Sequence, residues 1–441
     1  MSIELLTLIL FASMFLLLAT GMPIAFAIGA VATAFAIALW GPEHLTILAS
    51  AAYSSITNIN LAAIPLFVFL GWVFRYSGIG DDLFEAVYVW LGNVPGGLAI
   101  GCMLISVLFG AICGDMMAVI FMLAAIALPA MLKRGYDKHL AVGTIIVGGL
   151  LGLMIPPSIE IIVYSTTVGE SVGKMYLGCL IPGLIMAILY ILYIGIRCRL
   201  NPKLGPPAAV ETRIDWRARI ASLRSVGLPL LLILVIMGGI YGGIMSPLEA
   251  SAVGAVGALI AAAIYRRLTW RVVRESVYST IRLAGFLVWI LIGVSAFTSV
   301  YQGIGAPDLA LKLAYAMPGG DWGTIAVMQT ALLGFGTIMD DWAMILIFGP
   351  IFVFVIESLG FNTLWYGVVF LINIQVAFLT PPYGFALFIM RAAVPKEYNI
   401  TMIDIYRSVI PFIGCTVLTL ILVVLFPSLA TFLPNLIFGG G

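Results

Sequence analysis

Long apolar runs with little polar relief dominate this chain, at about 4–20, 23–40, 50–74, 97–132, 140–167, 176–197, 226–243, 247–264, 280–300, 324–356, 364–390 and 406–433. A helix of about 20 apolar residues, rising 1.5 Å per residue, crosses a hydrocarbon core about 30 Å thick. Most runs therefore predict one spanning helix each, whereas 97–132 and 324–356 are too long for one. Only segments that satisfy their own backbone hydrogen bonds persist in lipid, so the pattern predicts an all-α polytopic membrane protein.

The most polar stretch, between Arg197 and Arg224, carries Pro202, Pro206, Pro207 and several arginines and divides the chain almost in half. It reads as a linker over 201–225. Sliding the second half over the first by 225 positions superposes Gly78-Ile79-Gly80 on Gly303-Ile304-Gly305, Asp115 on Asp340, Gly135 on Gly360 and Pro156-Pro157 on Pro381-Pro382. Apolar composition alone does not align such residues, so the halves are repeats. The first, 1–200, has a split run at about 97–132 and a Pro-Pro-broken run at about 140–167. The second, 226–441, has them at about 324–356 and 364–390. Each half makes an odd number of net crossings, so the repeats are inverted in the membrane.

Charge then sets the orientation. With the linker cytoplasmic, 19 of the 21 basic residues fall inside and only Lys174 and Lys312 outside, which places the N-terminus in the periplasm by the positive-inside rule. Glu4, without a basic n-region, makes the first run a retained span rather than a cleaved signal. Charged residues are 9% of the chain against about a quarter in soluble domains, and the net charge of +1 offers no basic face for nucleic acid. The five cysteines are scattered without Cys-x-x-Cys spacing, and no His-Glu-x-x-His, Gly-x-Ser-x-Gly or Walker phosphate loop occurs. These absences argue against a disulfide framework, a zinc site, a membrane hydrolase and direct use of ATP; no enzyme activity is expected.

Candidate chemistry lies where the long runs break. The arms 98–113 and 116–132 flank Gly114-Asp115 and are each only about 24–26 Å long, which suits a re-entrant hairpin; two short tilted spans are the alternative. The twin run breaks at Met339-Asp340-Asp341. Paired prolines remove donors and unwind a helix, and the freed carbonyls need protein, water or an ion as partner. Pro156-Pro157-Ser158 and Thr380-Pro381-Pro382 therefore predict discontinuous helices rather than simple kinks. A carboxylate at such depth costs about 2.5–3.5 kcal/mol, and no Lys or Arg lies in these runs. A bound cation or a shared proton is the expected counter-charge for Asp115 and Asp340, with a water-exposed tip as the alternative. Candidate solute-binding residues are Asp115, Ser158, Glu160, Asp341, Asn373 and Gln375; Glu160 has the alternative of a structural role, bonding a hydroxyl such as that of Tyr164 one turn on. Glu249, after Ser246-Pro247-Leu248, reads as a first-turn acid favoured by the helix dipole.

In order and spacing, Gly21-Met22-Pro23-Ile24-Ala25-Phe26, Leu128-Pro129 with Lys133-Arg134-Gly135-Tyr136-Asp137, Ile155-Pro156-Pro157-Ser158, Pro247-Leu248-Glu249-Ala250, Met339-Asp340 and Leu379-Thr380-Pro381-Pro382 resemble the large membrane subunit of tripartite ATP-independent periplasmic (TRAP) transporters. The resemblance runs the whole length. It implies an elevator-type secondary transporter of the bacterial inner membrane, a Na⁺-driven symporter whose hairpins and broken helices carry a small organic acid past a fixed scaffold. It also implies two partners, a periplasmic solute-binding protein and a small four-span membrane subunit. By the same resemblance Na⁺ sites map onto Gly114, Asp115, Pro156, Pro157 and Ser158, and onto Met339, Asp340, Thr380, Pro381 and Pro382. One departure stands out: where many relatives have a Ser-Gly-Ser type first tip, this chain has Cys113-Gly114-Asp115-Met116, and the extra acid points to a zwitterion or an amine-bearing solute. A stand-alone Na⁺- or H⁺-coupled organic-anion symporter and a non-transporting membrane scaffold are the rival functions.

Overall fold

The computed structural model describes residues 1–207, 216–381 and 384–439. The first half forms α1 (Ile3–Ala19), α2 (Ile24–Trp40), α3 (Leu45–Ile56), α4 (Ala63–Tyr76), α5 (Ile79–Leu91), α6 (Gly97–Cys113), α7 (Met116–Lys133), α8 (Lys138–Met154), α9 (Ile159–Val168) and α10 (Val172–Leu200). The second forms α11 (Trp216–Tyr241), α12 (Pro247–Ile264), α13 (Trp270–Gly303), α14 (Ala306–Tyr315), α15 (Gly320–Phe335), α16 (Asp341–Ser358), α17 (Thr363–Leu379), α18 (Phe385–Ala393), α19 (Met402–Leu425) and α20 (Ser428–Phe438). No strand occurs among the described residues, and eight helical segments there are long and apolar enough to cross a membrane. Helix α11 begins inside the stretch read as linker, of which 208–215 lie outside the described residues.

Capping side chains fix where many helices start. Asp137 accepts from His139 and Leu140 N–H at 3.0 Å to open α8, and Thr401 with Asp404 forms a capping box on α19. Glu249 closes the capping box of Ser246 at the start of α12, the first-turn role expected of it. Each cap satisfies backbone donors that have no partner within the helix.

One expected span is interrupted. The run 50–74 leaves α-helix at Thr57, where the Asn58 side chain accepts the Asn60 N–H at 3.1 Å, and a 3-10 turn over Ile59–Ala62 leads into α-helix again at Ala63. The cluster Ser54, Ser55, Thr57, Asn58 and Asn60 offers the backbone local side-chain partners that compete with the helix; the Thr57 hydroxyl already donates to Tyr53 O at 2.7 Å. At the matching places in the second half stand Arg282, Leu283 and Gly285, and α13 runs unbroken for 34 residues. The halves thus differ at their third span.

Helix α13 packs along α2, α3 and α4, and α4 also packs on α12. Gly293 permits the close approach to α2, because a Cβ there would lie 2.5 Å from the Ala25 carbonyl oxygen; small residues at such crossings let backbones touch. A second group surrounds the broken helices: α6 and α7 pack on α8, α16 on α9, and α19 on both α8 and α17. Every residue of α8 from Leu140 to Met154, and of α17 from Leu364 to Leu379, is buried. A helix apolar all round belongs at the centre of its bundle, and these two occupy it.

Candidate functional site at the helix breaks

Glycine contacts seat the first hairpin on the first broken helix. A Cβ on Gly110 would stand 2.9 Å from the Gly152 Cα, and one on Gly149 3.2 Å from the Met116 carbonyl oxygen. Helix α6 ends on Gly114 in the left-handed region, φ +57°, and Asp115 turns to extended backbone and caps α7 by accepting the Ala118 N–H at 2.8 Å. Opposite this tip α8 stops at Met154, and Ile155, Pro156, Pro157 and Ser158 lead into α9. Break and tip are bonded: Ile159 N–H donates to Gly114 O at 3.1 Å. A Cβ on Gly114 would lie 2.8 Å from Pro157 O, so glycine is required there twice over, by φ and by space.

Beyond the break, the Ser158 hydroxyl stands 2.8 Å from Leu153 O and 3.0 Å from a Glu160 carboxyl oxygen, and accepts from Ile161 N–H at 3.4 Å. It has one proton to give, so one of those two oxygens is left for another donor or a cation. Glu160 is thus tied to a hydroxyl, the structural bond that was its alternative, but the hydroxyl is that of Ser158 and not of Tyr164, which is buried without a hydrogen-bond partner. The reason is reach: the cap position of Ser158 turns its hydroxyl back over the first turn, where Glu160 sits.

In the second half, α15 ends at Phe335, the Met339 N–H bonds back to Phe335 O at 3.0 Å, and Asp340 caps α16 by accepting the Ala343 N–H at 2.7 Å. Asp341 accepts from Trp342 N–H at 3.1 Å. This tip rests on α17, where a Cβ on Gly336 would lie 2.5 Å from the Ala377 Cβ. Helix α17 stops at Leu379, the Thr380 hydroxyl donates to Val376 O at 2.7 Å, and α18 starts after Gly384. Pro381 lies in a turn, and Pro382 lies outside the described residues. A cavity of about 670 Å³ opens beside the tip, lined by Thr337, Met339, Asp340, Gly21, Pro23 and Phe286.

The tips and the first break come together through charge. Glu160 feels the carboxylates of Asp341 and Asp115, and Asp341 those of Asp340 and Asp115. Asp115, Asp341 and Glu160 are 7%, 8% and 2% exposed, and none forms an ion pair among the described residues. Desolvated carboxylates of like sign repel strongly in a medium of low dielectric, so the cluster is short of positive charge. Arg75, from α4, projects its charge to Asp115 from a place over the Trp72 ring at 4.8 Å. Nothing along the chain links the two, because Arg75 ends a different span. Among the described residues no three His, Cys, Asp or Glu side chains are placed to hold a metal ion alone; a cation here needs carbonyl or hydroxyl oxygens as well.

Two further candidate residues, Asn373 and Gln375, are buried on α17 ahead of its break. Asn373 donates to Gln329 O and Oε1 at 2.7 Å, joining α17 to α15, and both amide atoms of Gln375 are buried without a partner. Gln329 escaped sequence reasoning, although a lone amide in an apolar arm of the second hairpin is a signal of an interhelical bond.

The sequence profile of the Tripartite ATP-independent periplasmic transporter, DctM component, matches residues 11–429. The chain belongs to this family. It is the large membrane subunit of a TRAP transporter, a multi-pass permease from a family of transporters rather than enzymes. It is 30% identical to the C4-dicarboxylate TRAP transporter large permease protein DctM of Pseudomonas aeruginosa, over 91% of this chain and 92% of that one. The sialic acid TRAP transporter large permease protein SiaM of Vibrio cholerae is 27% identical, over 96% and 97%. The ectoine TRAP transporter large permease protein TeaC of Halomonas elongata is 28% identical, over 87% and 88%. The fold is similar to the crystal structure of the Alcanivorax borkumensis YdaH transporter, with a TM-score of 0.58 at 12% identity, covering 91% of this chain and 90% of the other.

Proposed function

We propose that this TRAP permease is a Na⁺-driven symporter of the bacterial inner membrane that takes up a small organic acid or zwitterion. The solute comes from a periplasmic binding protein, and a small four-span membrane subunit completes the transporter. Two inverted repeats, N-terminus outside, carry two re-entrant hairpins and two broken helices that move together as an elevator past α2, α4, α12 and α13. Na⁺ is held by carbonyls at the breaks together with Asp115 and Ser158 in one half and Met339, Asp340, Thr380, Pro381 and Pro382 in the other. Glu160 and Asp341 face the solute.

The observation that carries this reading is the bond from Ile159 N–H to Gly114 O, which closes a hairpin tip on a proline-broken helix where buried carboxylates gather without an ion pair. Surplus oxygens at a point of unwound backbone are what a coupling cation needs. The departure at Asp115 supports a solute with a cationic group, because the cluster repels a bare dianion. The test is uptake into proteoliposomes that contain the permease and both proposed partners, with and without an inward Na⁺ gradient. Uptake that needs the gradient is expected; equal uptake without it refutes Na⁺ coupling.

A further inference from the structure

A polar cleft of about 380 Å³ lies apart from the carboxylate cluster, between α3, α9, α13 and α16. Thr166, Thr167, Asn58, Ser295, Ser299 and Gln302 line it, and none of its lining residues is charged. Ser295 and Ser55, 2.6 Å apart, tie α13 to α3, whereas the bonds of Ser299, Thr167 and Asn58 stay within their own segments and leave polar atoms on this wall. Ser295, Ser299 and Gln302 recur at helical spacing on α13, facing Asn58 at the break between α3 and α4.

The bonding of these groups shows which ligand they suit. Ser299 gives its proton to Ser295 O at 2.9 Å and Thr167 gives its own to Val163 O at 2.7 Å, so both present lone pairs to the cleft. The Thr166 oxygen is buried with no partner. Asn58 uses its carbonyl on Asn60 N–H, leaving its amide N–H groups for an anionic end. Leu346, also in the lining, stands five residues past Asp341 on α16, about 7.5 Å along the helix. The cleft thus runs from the outer ends of α9 and α13 toward the carboxylates.

We propose that this cleft is an outer recognition site for the solute, selecting molecules that present O–H or cationic N–H donors together with an anionic end over molecules that present acceptors alone. The inference rests on the transport reading above and deepens it by naming the solute class.

The test is carried out on the full chain in membrane vesicles. Ser299→Cys is labelled with a membrane-impermeant maleimide from the outer face, with sialic acid, ectoine or succinate as probe; Thr298→Cys serves if the first variant does not accumulate. Labelling slowed several-fold by sialic acid points to hydroxyl donors, by ectoine to the protonated amidine, and succinate is expected to leave the rate unchanged. Absence of labelling from outside, protection by no probe, or equal protection by succinate overturns the inference. If the parent chain with its partners still takes up solute while no probe protects, the cleft fails and the transport reading stands; loss of all uptake by the parent sinks the reading itself.

Discussion

Replacing Gly114 by alanine tests whether the first tip is seated on the first helix break. The residue has φ +57°, where an L side chain costs about 1–2 kcal/mol. The new Cβ would also lie 2.8 Å from Pro157 O and 3.4 Å from Ile159 N, backbone atoms that cannot rotate away, and overpacking of this kind costs about 1–3 kcal/mol. Gly169 supplies the internal control: its φ is +80°, yet a Cβ there meets nothing within 4 Å, so Gly169→Ala bears only the conformational part. Gly114→Ala is therefore expected to be about 1–3 kcal/mol less stable than Gly169→Ala, a gap on the order of a few degrees in apparent Tm. Thermal unfolding in detergent at one fixed scan rate reads it, since membrane proteins unfold irreversibly and only matched scans compare. Uptake should fall with Gly114→Ala and persist with Gly169→Ala. Equal melting of the two variants refutes the seating of tip on break, and with it the argument that the unwound carbonyls are held in one place.

Asp340→Ala removes the cap on Ala343 N–H and should lower stability by about 1 kcal/mol, whereas Asp340→Asn keeps the cap while deleting the charge. Loss of Na⁺-dependent uptake in the Asn variant at unchanged melting assigns the charge to coupling; full uptake denies it that role. Glu160→Gln relieves repulsion with Asp341 and Asp115 and keeps the Ser158 partner, so it should melt no lower than the parent while uptake is lost; a lower melting point contradicts the like-charge account. Thr416→Val strands the Tyr190 hydroxyl, now 2.7 Å from Thr416 Oγ1, and a buried orphan donor costs about 1–3 kcal/mol; melting like the parent shows that the hydroxyl finds another acceptor.

Much of the architecture was legible along the chain because its causes are local. Apolar run length reports on a fixed bilayer thickness, glycine on left-handed φ at Gly114, and the proline pair on the loss of helix between Met154 and Ile159. The break at Thr57 was equally local, written in the cluster of Ser, Thr and Asn that competes for backbone bonds, and composition alone masked it in an apolar run. Asp115 and Asp340 stand directly before α7 and α16, and their capping of those helices depends on the extended backbone there.

What tertiary structure decided is which groups meet. The bond between Gly114 and Ile159 joins residues 45 positions apart, Asn373 meets Gln329 across two helices, and the charge of Arg75 acts on Asp115 from another span without an ion pair. The polar cleft draws its walls from four helices, and no segment of it is unusual by itself. In lipid the apolar faces of these helices are all nearly alike, so periodicity does not say which face turns inward; the few hydrogen bonds and close glycine contacts between helices make that choice, and they exist only once the chain has packed.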